Sequence, residues 1–285
     1  MRLTVRDIQK MKNAGEPIAM LTAYDAMSAI LSERAGAHML LVGDSLGMVV
    51  QGHESTIPVT LDHIIYHSEI VSRVSSKALV VADLPFMAYK VSTEQALENA
   101  ARLMQEGRVE AVKMEGGEYL APTIARCVEA GIPVMAHIGL TPQSVNAVGG
   151  FRLQGNDIEA ARQLLRDADA VQQAGAFSVV LELVPAPLAQ VITERLHIPT
   201  IGIGAGVHCS GQVQIFHDLL ELFDAFVPRH TRRYTQAGTQ IREALEKYVR
   251  DVGARTFPAP ENSFDINPEV LAALQADESN ADANS

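Results

Sequence analysis

Leu40-Leu41-Val42-Gly43-Asp44-Ser45-Leu46-Gly47 is a short apolar run that stops at a glycine, an acid and a hydroxyl. A run this short, with no polar alternation, reads as a strand buried on both faces, the habit of parallel sheets. Such a strand delivers the acid behind it to its own C-terminal end, where α/β enzymes place their chemistry. The pattern recurs along the chain. Apolar runs fall at Ile18–Thr22, Ala78–Ala82, Ala111–Met114, Pro133–Ala136, Ser178–Leu181, Thr200–Ile203 and Ala225–Val227. Five of the eight run into a titratable residue, at Asp44, Asp83, Glu115, His137 and Glu182.

Helical stretches lie between the runs. A short amphipathic helix is expected over 4–13, and others over 25–35, 61–75, 92–106, 121–130, 157–174, 186–196, 212–223 and 236–252. Three of them end alike before a strand, at Ala35-Gly36, Ala130-Gly131 and Ala174-Gly175, where glycine supplies a left-handed C-cap. Eight strand–helix units predict an α/β fold, a (β/α)8 TIM barrel over residues 1–252 with a short N-terminal helix. A doubly wound open sheet competes, but the Gly-x-Gly-x-x-Gly turn expected after its first strand is missing. Residues 139–156 show no periodicity, and a loop that long in a compact domain reads as an ordered lid. Residues 253–285 read as a C-terminal tail broken by Pro258, Pro260 and Pro268, with a short helix over 268–275 and disorder from Asp277 onward.

Composition narrows the function classes. Over 285 residues, 47% are hydrophobic and 20% charged, enough for a large core under a soluble surface. A net charge of −11 argues against a nucleic-acid or anionic-membrane partner. No apolar run approaches the ~20 residues of a membrane helix, and the first residues lack the apolar core of a secretion signal. The two cysteines, Cys127 and Cys209, have neither metal nor redox spacing. A soluble cytoplasmic protein acting on small molecules is the reading.

The strand-end residues carry the chemistry. Alone, any of the four acids reads as a strand-end or capping residue. Packed together they would repel and raise one another's pKa unless a cation neutralised them. All-oxygen donors favour a hard ion such as Mg2+ over Zn2+. Asp44, Asp83 and Glu115 follow consecutive strands and form the expected cluster. Glu182, further round, is free to act as a base. Lys113 shares the barrel-facing side of its strand with Glu115 by the period-two rule, and a cation there suits a substrate carboxylate. His137 reads equally as a ligand-orienting group and as a packed strand-end histidine. His63 and His67, four apart on a helix, read as surface or interface, and Gly202–Gly206 as close backbone packing.

Thr22-Ala23-Tyr24-Asp25, the Leu41–Gly47 stretch, Ala82-Asp83-Leu84-Pro85-Phe86-Met87 and Val112-Lys113-Met114-Glu115-Gly116-Gly117 resemble the ketopantoate hydroxymethyltransferase family. So do His137-Ile138-Gly139-Leu140-Thr141-Pro142-Gln143 and Gly202-Ile203-Gly204-Ala205-Gly206. The resemblance implies a (β/α)8 barrel of the phosphoenolpyruvate/pyruvate type, a decamer in many members. It implies transfer of a hydroxymethyl group from 5,10-methylenetetrahydrofolate to 3-methyl-2-oxobutanoate in pantothenate biosynthesis. By motif, Asp44, Asp83 and Glu115 would lie at the Mg2+ site. Asp44, Ser45, Asp83 and Lys113 would bind the oxo acid, and Glu182 would accept the proton. The sequence departs from the family pattern at Ser75-Ser76, Cys209–Val213 and Ala225–His230. The rival readings are a Mg2+-dependent lyase or aldolase acting on another 2-oxo acid, and a non-catalytic oligomeric binding barrel.

Overall fold

The computed structural model describes residues 1–223 and 227–282. The strands are β1 (Ile18–Thr22), β2 (Met39–Val42), β3 (Leu79–Asp83), β4 (Ala111–Glu115), β5 (Val134–Gly139), β6 (Ser178–Glu182), β7 (Thr200–Ile203) and β8 (Gly211–Gln214). They close into a barrel in sequence order, every neighbouring pair parallel, with helices in every connection except the short one from β7 to β8. The expected (β/α)8 barrel is therefore present.

The period-two rule sorts the side chains into two cores. Ile18, Met20, Met39, Leu41, Leu79, Val81, Ala111, Met135, Val180, Ile201 and Val213 fill the barrel interior, with Ile8 from the N-terminal helix Val5–Ala14 packed into the same cluster. Their neighbours Leu40, Val42, Val80, Ala82, Val112, Ala136, Val179 and Leu181 belong to the other cluster, which takes in buried helix residues such as Ile64, Leu103 and Ile124. Burying each large aliphatic side chain contributes about 1.5–3 kcal/mol. Inward parity continues past the apolar layers. Two residues beyond Val81 comes Asp83, beyond Ala111 come Lys113 and Glu115, beyond Met135 comes His137, and beyond Val180 comes Glu182. The hydrophobic interior thus ends in a polar layer at the C-terminal mouth.

The last strand corrects the sequence reading. The strand expected over Ala225–Val227 is not the eighth: Ala225 and Phe226 lie outside the described residues, and Val227 is in no strand. β8 occupies Gly211–Gln214, where a helix over 212–223 was expected, and only Phe216–Leu219 is helical there. Gln212 and Gln214 hide the strand, since glutamine has no strand preference and the run is short. Pairing wins: β8 aligns Gly211 with Ile18 and Gln214 with Leu21, and Gly211 also meets Ile201 of β7. A Cβ on Gly211 would stand 2.3 Å from the Ile18 carbonyl oxygen, so only glycine allows that approach.

Smaller differences follow local chemistry. Asp157 caps the helix Ile158–Gln173 by accepting the Ala160 N–H, so the helix starts one residue later than expected. The loop over 139–156 contains a 3-10 turn, Pro142–Ser144, and a helical turn, Val145–Val148. Gly36, Gly131 and Gly175 adopt φ of +94°, +87° and +90°, the left-handed caps expected after their helices. The tail helix runs Pro268–Asp282, longer than 268–275. The chain divides into two compact units, Met1–Thr235 and Gln236–Ser285. The first is the barrel. The second comprises the helix Ala237–Gly253, a 3-10 turn at Pro260–Asn262 and the tail helix.

Candidate active site

A cavity of about 310 Å3 opens at the C-terminal mouth of the barrel and is lined by Asp44, Ser45, Asp83, Lys113, Glu115, His137 and Glu182 among others. All seven residues singled out in the sequence therefore meet at one place. Strand register explains the closest pairs. Asp83 of β3 is level with Lys113 of β4, and their charged groups lie 2.7 Å apart. Glu115 is level with His137 of β5, with Oε1 3.5 Å from Nδ1. His137 turns its other nitrogen toward β6, 3.2 Å from Oε2 of Glu182.

Asp44 arrives by a different route, because it follows β2 rather than ending it. Its N–H donates to Oδ2 of Asp83 at 3.0 Å, which ties the β2 turn to β3. Gly43 permits this: a Cβ there would lie 3.0 Å from Oγ of Ser45 and 3.4 Å from Oδ2 of Asp83. Ser45 shares a 2.7 Å hydrogen bond with the buried hydroxyl of Tyr24. On the far side, Gly139 has φ +90°, and a Cβ would meet the Glu182 carbonyl oxygen at 2.3 Å, so the β5–β6 approach requires glycine.

The charges are buried and out of balance. Asp44, Asp83, Lys113, Glu115 and His137 are all under 5% exposed. Burial opposes the charge on Lys113, but Asp83, Glu115 and Asp44 outweigh it and hold the ammonium protonated, its pKa above the usual range. Burial and Lys113 likewise oppose a charge on His137, yet Glu115 and Glu182 push its pKa up to about 9. Glu115 resists burial and stays below the ordinary carboxylate range, held down by His137 and Lys113. Burial and repulsion from Asp83 and Glu115 push Asp44 well above that range. Asp83 is raised as well, chiefly by burial, although Lys113 opposes the shift. Three carboxylates thus face one ammonium and one imidazole, and Asp44 bears most of the surplus.

This donor set fits a hard divalent cation. Oε1 of Glu115 is buried without a hydrogen-bond partner, and Oδ1 of Asp83 has the Lys113 ammonium beside it but no hydrogen bond. Each of the three carboxylates is tied back through one oxygen: Oδ2 of Asp44 accepts from Gln143, Oδ2 of Asp83 from the Asp44 N–H, and Oε2 of Glu115 from the Gln143 N–H, while Oδ1 of Asp83 and Oε1 of Glu115 face only the cations Lys113 and His137. Among the described residues, no group of three His, Cys, Asp or Glu side chains is close enough to hold an ion unaided. An ion here would therefore draw the rest of its oxygen shell from a bound acid and water.

Two residues carry more than their motifs foretold. Gln143, within the Thr141-Pro142-Gln143 run, is buried and bonds to groups following three different strands. Tyr89 accepts the Glu115 N–H at 3.0 Å and donates to Oε1 of Gln143 at 2.8 Å. Nothing in their sequence context marks them, because both act across long separations. His63 and His67 are not paired on a metal. His63 Nδ1 accepts the Thr60 N–H at a helix start, and His67 Nδ1 lies 2.6 Å from the Tyr24 carbonyl oxygen in a partly buried contact. Cys127 and Cys209 are buried free thiols, and burial lifts Cys127 to about 11, which leaves it unreactive.

Parallel strands closed into a barrel, with acids, a lysine and a histidine converging at the C-terminal mouth, define an enzyme of the (β/α)8 class. A family model described as ketopantoate hydroxymethyltransferase matches residues 2–260. The 3-methyl-2-oxobutanoate hydroxymethyltransferase of Chloroflexus aggregans is 61% identical over 273 residues, covering 96% of this chain and 97% of that one. The enzyme of the same name from Carboxydothermus hydrogenoformans is 52% identical, covering 96% and 99%. Among solved structures, a phosphonopyruvate hydrolase complex with oxalate and Mg++ superposes with a TM-score of 0.62 at 14% identity, covering 97% of this chain and 96% of that one. A 2,3-dimethylmalate lyase of the PEP mutase/isocitrate lyase superfamily superposes with a TM-score of 0.60 at 17% identity, covering 100% and 99%. At such identities these two show the fold alone. The chain belongs to the ketopantoate hydroxymethyltransferase family, and it is a hydroxymethyl-transferring enzyme of pantothenate biosynthesis.

Proposed function

We propose that the mouth cavity binds 3-methyl-2-oxobutanoate, removes its C3 proton through Glu182 and presents the resulting enolate to 5,10-methylenetetrahydrofolate. The observation that carries this reading is the convergence of these groups on one cavity: Asp44, Asp83 and Glu115, with Oδ1 of Asp83 and Oε1 of Glu115 accepting no hydrogen bond, line it together with Glu182. Asp44, Asp83 and Glu115 would hold Mg2+. When bound, that ion would supply Lewis-acid stabilisation for charge building up on the keto oxygen. Lys113, kept charged by its acids, and the Ser45 hydroxyl bind the oxo acid. Glu182 takes the proton, and His137, 3.2 Å away, fixes the orientation of its carboxylate. The loop over 139–156, whose Pro142 and Phe151 line the same cavity, keeps water from the enolate.

Carbon C3 of the enolate then bonds to the donor's methylene carbon, whose bonds to the folate nitrogens break; water supplies the hydroxyl oxygen and tetrahydrofolate leaves, so that C3 carries a hydroxymethyl group. No helix among the described residues is long and apolar enough to cross a membrane, and the cytoplasm is the proposed place of work. A homo-oligomer is part of the reading. Its support is the apolar row Ile241, Leu245, Val249 and Val252, all exposed on the helix Ala237–Gly253, which further copies of the chain would cover.

The test is an NMR assay with purified protein, Mg2+ and 3-methyl-2-oxobutanoate in deuterated water. C3 exchange without donor, and a hydroxymethyl product only once methylenetetrahydrofolate is added, is the expected result. Exchange with no folate-dependent product would assign the site instead to a lyase or aldolase reaction on another electrophile.

A further inference from the structure

Gln143 follows β5, yet its amide lies among the ends of β2, β3 and β4. Nε2 donates to Oδ2 of Asp44 at 2.9 Å and to the Leu84 carbonyl oxygen at 2.9 Å. Oε1 accepts from the Tyr89 hydroxyl at 2.8 Å. The backbone N–H donates to Oε2 of Glu115 at 3.0 Å. Both amide hydrogens and the amide oxygen are used, and the side chain is 2% exposed. The Leu84 carbonyl can only accept, so it fixes which end of the amide is nitrogen. The same nitrogen must then donate to Asp44.

The geometry points to Gln143 as the positioning residue of the carboxylate cluster. Its amide holds one oxygen of Asp44 and its backbone N–H one oxygen of Glu115, so that both carboxylates are set in one fixed pose. It also anchors the 139–156 loop to those acids, so that loop position and carboxylate pose are set together. This inference rests on the proposed reading that Asp44, Asp83 and Glu115 hold a divalent cation. Partners of metal ligands orient them, and removing one commonly weakens metal binding about 10–100-fold.

Three variants separate the interactions. Gln143→Leu keeps the size and the backbone N–H but loses all the amide's hydrogen bonds. Gln143→Glu keeps the shape but sets a carboxylate against Asp44. Tyr89→Phe leaves the Gln143 amide in place and removes the hydroxyl that holds Oε1, which also accepts the Glu115 N–H. The probe is Mn2+ bound to the purified enzyme without substrates, followed by electron paramagnetic resonance, with melting temperature and separate kcat and KM values beside it. Expected are Mn2+ affinities about 10–100-fold weaker in both Gln143 variants and an intermediate loss in Tyr89→Phe. The kcat should fall with them, while KM for the folate donor stays within about twofold. If the Gln143 variants do not fold, Tyr89→Phe alone decides.

Wild-type protein that binds no Mn2+ would overturn the cation reading itself. Mn2+ bound by wild type and, within twofold, by every folded variant would overturn the role of Gln143 and leave the cation reading standing.

Discussion

Lys113 lies 2.7 Å from Asp83 and 3.8 Å from Glu115, and Asp44 adds a third negative charge that keeps its ammonium protonated. Removing it leaves buried carboxylates facing one another, a loss of about 3–5 kcal/mol where a buried partner is deleted. Lys113→Met should therefore melt several degrees lower at neutral pH. The deficit has a definite sign with pH. An acid whose folded pKa is raised costs stability above that pKa and nothing once the unfolded chain is protonated too. Without Lys113 the acids rise further, so the deficit should shrink as pH falls toward 4 and widen toward 8. Mg2+ should restore part of it. Melting curves at both pH values, with and without Mg2+, check this. A deficit independent of pH and Mg2+ would mean the surplus charge is not what Lys113 offsets. Gly139→Ala tests the geometry instead. Its left-handed φ and the 2.3 Å approach to the Glu182 carbonyl predict a loss of about 1–3 kcal/mol together with reduced activity, read by melting and turnover. The acids themselves were legible in the sequence, because each follows an apolar run. Gln143 and Tyr89 were not, since a glutamine in a loop and a tyrosine before a helix carry no periodic signal.

At the level of elements, the departure from the family pattern at Ser75-Ser76 has a structural use. Glu33, on the helix Ala26–Arg34, accepts the N–H groups of Ser76, Lys77 and Ala78 and the hydroxyls of Ser75 and Ser76. Burial opposes its charge, but these donors hold its pKa near 2. A depressed carboxylate pKa stabilises the fold above the unfolded value of 4.5, and the contribution is lost as pH falls through the folded one. Glu33→Gln should therefore melt about 2–4 °C lower at pH 7, with the gap to wild type closing between pH 4.5 and about 2. A gap that persists unchanged into acid would assign the loss to packing alone. The strands with continuous apolar runs were readable to within one to three residues, and several extend just far enough to include the acid behind them. β8 was not readable. Its alternating Gly211-Gln212-Val213-Gln214 is too short and too polar to announce a strand, and only the need to close the barrel against β1 and β7 selects it.

Over the whole molecule, one rule places both the core and the chemistry. Inward positions carry aliphatic side chains for two layers and then, in the same parity, Asp83, Lys113, Glu115, His137 and Glu182. The barrel's hydrophobic filling is thus the floor of the site, and the site inherits its rigidity. The number of units was legible from the alternation of strands and helices, whereas the closing segment was displaced by about a dozen residues. The proposed assembly can be checked at the same scale. Leu245→Glu combined with Val249→Glu should shift the sedimentation coefficient toward smaller species, and an unchanged coefficient would remove that helix from the interface. The central claim is that Glu182 takes a proton from an oxo acid held opposite the three carboxylates. Its most direct measurement is the rate of C3 hydrogen exchange in 3-methyl-2-oxobutanoate with Mg2+ and no donor, for wild type and Glu182→Gln. The account predicts rapid exchange in wild type and a rate about 10²–10⁴-fold lower in the variant; exchange at the wild-type rate in a folded, oxo-acid-binding Glu182→Gln would contradict it.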